Sequence, residues 1–263
     1  MKLSISNIGW SAEDDEIIYE ELRRLNVEAI EIAPTRIFPE DTYLKLEEAK
    51  EFKRKLKSEY GLSISSMQSI WYGKTENIFR SNREREVLFE YTKFAIEFAS
   101  VLECKNLVFG CPKNRVVYNE KDYITAMEFF NELGEYAYQN NTVLSLEPNP
   151  VIYNTNFINT TEEAILMVKQ IKSKGFKVNL DTGTMISNNE NLDVVKENID
   201  LIHHIHISEP HLEIIQPRNL HIQLAELLSG VYHNFISIEM GKREDIKDIF
   251  KSIKYIKEVF NGI

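Results

Sequence analysis

Four residues with metal-ligating side chains each follow a short apolar run in the second half of the 263-residue chain. Glu147 lies in Leu146-Glu147-Pro148-Asn149-Pro150 and Asp181 in Asn179-Leu180-Asp181-Thr182-Gly183. His206 lies in His204-Ile205-His206-Ile207-Ser208 and Glu239 in Ile236-Ser237-Ile238-Glu239-Met240. If the runs are strands, alternation puts Glu147 on one face with Ser145, Asp181 with Asn179, His206 with His204 and Glu239 with Ser237. The other face carries Leu146, Leu180, Ile205 and Ile238, which suits packing against helices. Three carboxylates converging on one point would repel one another and lose hydration unless a cation neutralised them. One divalent metal ion held by Glu147, Asp181, His206 and Glu239 is therefore expected. An oxygen-rich set with one imidazole suits Mn²⁺, Mg²⁺ or Co²⁺ and can accommodate Zn²⁺; Mn²⁺ is favoured. Any one of these residues alone could simply cap a strand end, so the argument rests on four in succession on one face.

To converge, those positions need neighbouring strands whose C-terminal ends meet. Apolar runs suited to buried strands occur at Leu3–Ser6, Ala29–Ile32, Leu62–Ser66, Asn106–Phe109, Val143–Leu146, Lys177–Leu180, Ile202–Ile207 and Phe235–Ile238. Helical patterns lie between them. Ser11-Ala12-Glu13-Asp14 reads as a capping box, with Ile17, Ile18, Leu22 and Leu25 at helical spacing. Thr160 or Thr161 opens a later helix, and Ala126–Tyr138 and Ile246–Phe260 carry the same period. Gly61 and Gly175 each sit between a helix and a strand, where a left-handed residue ends the helix. Strands alternating with helices pair in parallel through right-handed crossovers. Eight such units, in a chain close to the roughly 250 residues of a typical barrel, predict an α/β fold: a (β/α)8 TIM barrel forming a single domain over residues 1–263. An open doubly wound sheet is the alternative, but the Gly-rich turn expected after its first strand is missing.

The charge balance narrows the partners. A net charge of −10 argues against nucleic acid, because neutralising phosphates takes a basic surface. No stretch approaches the roughly 20 apolar residues of a membrane helix, so no membrane partner is expected. Residues 1–15 lack the roughly seven-residue apolar core of a signal peptide. Cys104 and Cys111 cannot build a disulfide framework and fit a reducing compartment, which makes the cytoplasm the expected location. With no basic partner nearby in sequence, Cys111 reads as an ordinary small residue.

The segments Ser6–Trp10, Glu31–Thr35, Val108–Arg115, Leu146–Pro150, Leu180–Gly183, His206–Pro210 and Ser237–Met240 resemble, in order and spacing, those of the xylose isomerase-like superfamily of (β/α)8 barrels, the sugar phosphate isomerase/epimerase group. The resemblance runs from the first strand to the eighth. It implies that Glu147, Asp181, His206 and Glu239 bind the metal. It also implies that Glu147 and Glu239 are catalytic, moving protons on opposite faces of a carbohydrate substrate, with their order left open. Glu209 and His221, flanking the loop after the seventh strand, become substrate-binding candidates; position alone would leave His221 on a helix surface. Many members carry a His three residues after the aspartate, where this chain has Thr184. That departure bears on the substrate and leaves the four ligands intact. Such barrels are often dimers, and a homodimer is left open here.

Other residues near the strand ends could meet a substrate. Lys113, Asn114 and Arg115 follow the fourth strand and could hold a phosphate, a carboxylate or hydroxyls, or else form a solvated basic turn. Asn7, Gln68 and Asn149 could bind hydroxyls or satisfy loop backbone, and Trp10 and Trp71 could wall a pocket or be buried. His203 is expected to point away from the mouth, and His204 to lie one inward layer below His206. The expected function is a divalent-metal-dependent isomerase or epimerase that abstracts a proton next to the carbonyl of a sugar, sugar phosphate or related polyol. Competing readings are a dehydratase of a polyol or keto-acid, an apurinic endonuclease, and a metal-holding protein without turnover. The endonuclease is disfavoured because those enzymes use three metals and histidines on the second and third strands, where this chain has Glu31 and Gln68.

Overall fold

Each apolar run is too short to stand alone and must be buried on both faces, which parallel pairing under a layer of helices achieves. The computed structural model describes residues 1–261. Its strands are β1 (Lys2–Ser6), β2 (Ala29–Ile32), β3 (Ser63–Met67), β4 (Leu107–Phe109), β5 (Leu144–Leu146), β6 (Phe176–Asp181), β7 (Ile202–Ile207) and β8 (Phe235–Ile238). They pair in parallel in chain order, and β8 closes on β1. Between them run α1 (Asp15–Arg24), α2 (Pro34–Ile37), α3 (Leu46–Tyr60), α4 (Asn82–Val101), α5 (Lys121–Gln139), α6 (Thr161–Ile171), α7 (Thr182–Asn188), α8 (Asp193–Lys196) and α9 (Asn219–Leu228), with α10 (Ile246–Asn261) after β8. The expected (β/α)8 barrel is the fold. Among the described residues no helix is long and apolar enough to cross a membrane.

Local chemistry explains where the expected boundaries hold and where they shift. Thr160 does form a capping box: its Oγ1 accepts from the Glu163 backbone N–H at 3.2 Å, and Glu163 Oε2 accepts from the Thr160 N–H at 3.2 Å. Ser11 does not. It precedes a 3-10 turn over Ala12–Asp14 without a side-chain cap, and α1 starts only at Asp15. The Asp15 carboxylate is instead engaged by Trp10 Nε1 and Arg36 Nη2, each at 2.7 Å. Gly61, with φ +72°, ends α3 in the left-handed region as expected. At the end of α6 that conformation falls to Lys172, with φ +60°, and not to Gly175.

Gly175 answers a different need. A Cβ there would overlap the Gly134 carbonyl oxygen and lie 2.6 Å from the Tyr138 backbone nitrogen, so α5 could not pack this closely on the start of β6. Both neighbours are backbone and cannot swing aside. Gly175→Ala should therefore lower unfolding stability by about 3 kcal/mol, measured by denaturant titration; a loss near the background of a surface change would show that α5 does not lie where it is described.

The barrel has an apolar outside and a polar inside. Leu146, Leu180, Ile205 and Ile238 are fully buried on the helix-facing side. There the ring of Phe130 stacks on Phe176 at 5.0 Å and meets Phe109 edge-on at 4.8 Å. The interior, which in such barrels is dominated by branched apolar side chains, here holds Ser66, Asn106 and Ser145. Asn106 donates to Ser66 Oγ at 2.9 Å and accepts from Ser145 Oγ at 2.5 Å. His203 joins them, its Nδ1 2.9 Å from Asn106 Oδ1 across the barrel. The pairing of β6 with β7 steps from Val178↔Ile202 to Asn179↔His204, leaving His203 as an extra residue. That bulge turns its ring into the lower barrel, so His203 and the adjacent His204 both sit inside.

Candidate metal centre

The strand ends deliver the four residues to one place. Glu147 follows β5, Asp181 ends β6 and caps α7, His206 lies in β7 and Glu239 follows β8. One donor atom from each lies within 4.8 Å of the others, and all four residues are buried. His206 Nδ1 is 2.9 Å from Glu147 Oε1 and 3.2 Å from Glu239 Oε2. Among the described residues no group meets that buried nitrogen with hydrogen-bond geometry. A ring nitrogen without a partner, ringed by carboxylate oxygens, is a donor set that fits a divalent cation. His206 is sealed at 0 % exposure, whereas Glu147, Asp181 and Glu239 keep 7–9 %. The carboxylates therefore face the opening, and the imidazole forms the floor.

Neighbouring groups fix each carboxylate. Glu147 Oε1 accepts from Asn179 Nδ2 at 2.8 Å and Oε2 from Asn149 Nδ2 at 3.2 Å. Arg115, fully buried, donates from Nη2 to the Glu147 carbonyl at 2.8 Å and to Asn149 Oδ1 at 2.6 Å. Asp181 Oδ1 accepts from Ser208 Oγ, and Oδ2 from the Thr184 N–H at 2.7 Å. Thr184 Oγ1 also lies 2.8 Å from Asp181 Oδ2 and 2.9 Å from the Pro148 carbonyl. The residue standing where the resemblance led one to look for a His thus points at the Asp181 carboxylate and at backbone.

The charges are strained by their closeness. Burial, reinforced by Glu147, pushes the Asp181 carboxyl up to about 6. Burial also pushes Glu239 up to about 7, against the pull of His206 and with help from Glu147 and Asp181. For His206, burial disfavours the charged ring, but Glu31 and Glu239 outweigh it and hold it well above its ordinary value. His203 and His221 go the other way, to about 4, through burial.

Linkage turns these shifts into a measurable slope. Above pH 6.5 the unfolded chain has largely released its histidine and carboxylate protons, while the metal-free fold gives up that of Glu239 only near 7 and that of His206 higher still. Its stability should therefore fall as pH rises from 6.5 to 8.5. Below 6.5, His203 and His221 pull in the opposite sense, because the unfolded chain binds protons they refuse. Melting temperature against pH tests this: metal-free protein should lose about 5 °C over that upper window, and saturating Mn²⁺ should flatten the slope.

Glu31, at the end of β2, is a member of the cluster that sequence reasoning did not single out. It is fully buried, with Oε2 3.0 Å from His206 Nε2 and 3.1 Å from His204 Nε2. Its position at a strand end, inward beside Ser6 in the β1–β2 register, was the available signal. Tyr153 was also missed. Burial, with Asp181, Glu239 and Glu147 nearby, pushes its phenol up to about 12, and its hydroxyl accepts the His211 backbone N–H at 2.8 Å.

The other candidates are placed as follows. Asn149 lies against Glu147, as above. Asn7 Oδ1 accepts the Ala33 N–H at 2.8 Å, and its Nδ2 has no partner. Gln68 donates to Ser6 Oγ inside the barrel. Lys113 is exposed, whereas Asn114 is buried and donates to the carbonyls of Lys74 and Glu76. Arg115 keeps Nε and Nη1 without partners. Glu209 pairs with Arg218 and caps the Gln216 N–H at 3.1 Å, bracing the loop after β7. His221 is not on the helix surface: it is fully buried, 3.1 Å from the Tyr255 hydroxyl. Trp10 and Trp71 are buried in packing, the latter bonded to Thr92 Oγ1 at 2.8 Å.

Residues 19–259 match the family model described as xylose isomerase-like TIM barrel. The chain belongs to this family. Among solved structures it is similar to 3-keto-D-glucoside 4-epimerase from E. coli, at 20 % identity and TM-score 0.78, covering 98 % of this chain and 99 % of that one. It is also similar to D-psicose 3-epimerase from Clostridium cellulolyticum H10, solved with D-tagatose, at 18 % identity and TM-score 0.72, covering 100 % and 92 %. A third is the IolI protein with a bound zinc atom, at 16 % identity and TM-score 0.76, covering 100 % and 99 %. At these identities the likeness is one of fold. No curated protein sequence matches the chain.

Proposed function

We propose that this protein is a divalent-metal-dependent sugar isomerase or epimerase whose acid and base are Glu147 and Glu239. The observation that carries this reading is that the two carboxylates both approach one ring nitrogen, 2.9 and 3.2 Å from His206 Nδ1, with Asp181 completing the set. The epimerases of similar fold, and the zinc-bound IolI protein, support it. A bound cation would polarise a sugar carbonyl and its neighbouring hydroxyl and stabilise the negative charge that develops on oxygen. One glutamate takes the proton from the carbon next to the carbonyl. The other delivers a proton to the opposite face or to the adjacent carbon. Asn179 and Asn149 hold both oxygens of Glu147, which fixes its aim. Ser208 and Thr184 hold both oxygens of Asp181 in the same way, which fixes its orientation toward the shared site.

We favour Mn²⁺ on the strength of three carboxylates to one imidazole. Two free thiols, Cys104 buried and Cys111 half-buried, support a reducing cytoplasm. Asn149, bonded to the Glu147 carboxylate, is the substrate-binding candidate beside the centre, and the fully buried Arg115 braces the Glu147 backbone. The test is metal analysis of the purified protein followed by incubation with candidate ketoses and aldoses in D₂O. One metal per chain and deuterium at the carbon next to the carbonyl are expected. A protein that takes up no divalent metal, or catalyses no exchange with Mn²⁺ present, would refute the proposal.

A further inference from the structure

Beneath the proposed centre, β2 sends a carboxylate across the barrel to β7. Glu31 is fully buried, and its ion-pair partners are two imidazoles and no Lys or Arg. One oxygen, Oε2, lies 3.0 Å from His206 Nε2 and 3.1 Å from His204 Nε2. The other accepts from Ser237 Oγ at 3.4 Å. The two rings stand 85° apart, with centroids 5.4 Å apart; His206 Nε2 is hydrogen-bonded to that oxygen, whereas His204 Nε2 lies near it without hydrogen-bond geometry.

A carboxylate with no water must be met by donors, or its burial is strongly unfavourable. A neutral imidazole has one N–H, and the nitrogen that carries it is set by the partner of that nitrogen. With the proton of His206 on Nε2, it points at Glu31, and Nδ1 offers a lone pair toward Glu147 and Glu239. With the proton on Nδ1, a lone pair would face the Glu31 carboxylate, and the ring would have nothing to give a cation.

We infer that Glu31 is the positioning residue of the centre: it holds the Nε2 proton of His206 and so makes His206 a ligand through Nδ1. This rests on the reading of Glu147, Asp181, His206 and Glu239 as a metal site. Outer carboxylates of this kind orient ligating histidines and raise their basicity, and their loss typically costs about 10- to 100-fold in metal affinity. Glu31→Gln keeps the shape and one acceptor oxygen but removes the negative charge that raises the basicity of the His206 ring.

The experiment is calorimetric titration of the metal-stripped chain with Mn²⁺ and Zn²⁺ for wild type, Glu31→Gln and Glu31→Asp. Ring ¹⁵N shifts of His206 are read in the Zn²⁺-loaded proteins. Wild type should bind one ion with His206 protonated at Nε2. Glu31→Gln should bind about 10- to 100-fold more weakly with altered ring shifts, and Glu31→Asp should recover part of the loss. A purely structural role would lower the melting temperature and leave affinity and ring shifts alone. Wild-type affinity in Glu31→Gln overturns the role of Glu31 while the centre stands, and a wild type that binds no metal overturns both. Should Glu31→Gln fail to fold, the wild-type ring shifts decide, and a proton on Nδ1 in the loaded protein refutes the inference.

Discussion

Replacing Glu239 by Gln should lower kcat by about 10²- to 10⁴-fold at saturating Mn²⁺, and replacing Glu147 by Gln should do the same. Gln keeps the size of the side chain and one oxygen that can face a cation, but it cannot take or give a carbon-bound proton. The two variants should differ in one respect that separates proton transfer from simple loss of metal. Each retains one intact carboxylate, on one face of the substrate. One variant should still wash solvent deuterium into one epimer without converting it, and the other variant should do so for the opposite epimer. Metal content is measured in parallel, since both residues stand in the proposed ligand set. Full turnover in either variant with metal still bound would remove that residue from the chemistry.

Gly110→Ala should weaken Mn²⁺ binding by about 10- to 100-fold while leaving global stability almost unchanged. Gly110 follows β4, and a Cβ there would lie 2.6 Å from Glu147 Oε2, closer than such atoms approach. The atom that must yield is the end of a side chain, so the fold can absorb the change. Glu147 cannot absorb it freely. Its Oε1 is held by Asn179 and its carbonyl by Arg115, so moving Oε2 tilts the carboxylate away from His206 Nδ1. Calorimetry with Mn²⁺, beside a denaturant curve, tests this. Unchanged affinity would mean that Glu147 is not a ligand in the orientation described. The contrast with Gly175 is instructive: there the obstruction is backbone, and the expected loss is of stability.

These effects also show what the amino-acid order makes legible. The four residues after β5, β6, β7 and β8 could be found because each requires only a local pattern, an apolar run followed by an inward ligand. Thr160 with Glu163 was legible for the same reason, as both halves of the cap lie within four residues. Glu31 was not, because the group that gives it meaning is His206, 175 positions later and across the barrel. His203 does point away from the mouth, but its place inside the lower barrel was not legible, because strict alternation fails at a bulge that arises from pairing with β6. Ser11 looked like a cap, but Trp10 and Arg36 draw on Asp15 and settle where α1 begins. Gly175 looked like a helix stop, and only the approach of α5 explains it. What stayed hidden was in each case a contact between distant elements.

The polar interior has one more consequence. Since Ser66, Asn106, Ser145, His203 and His204 fill the space inside the sheet, the apolar free energy of folding must reside in the sleeve between strands and helices. Cohesion and chemistry then occupy different shells of the same molecule, separated by a wall one residue thick. Changes to the sleeve, such as filling space around Phe109, Phe130 and Phe176, can harden the protein without touching the ligands. Changes inside can retune the ligands with little loss of cohesion, provided every buried donor still finds an acceptor.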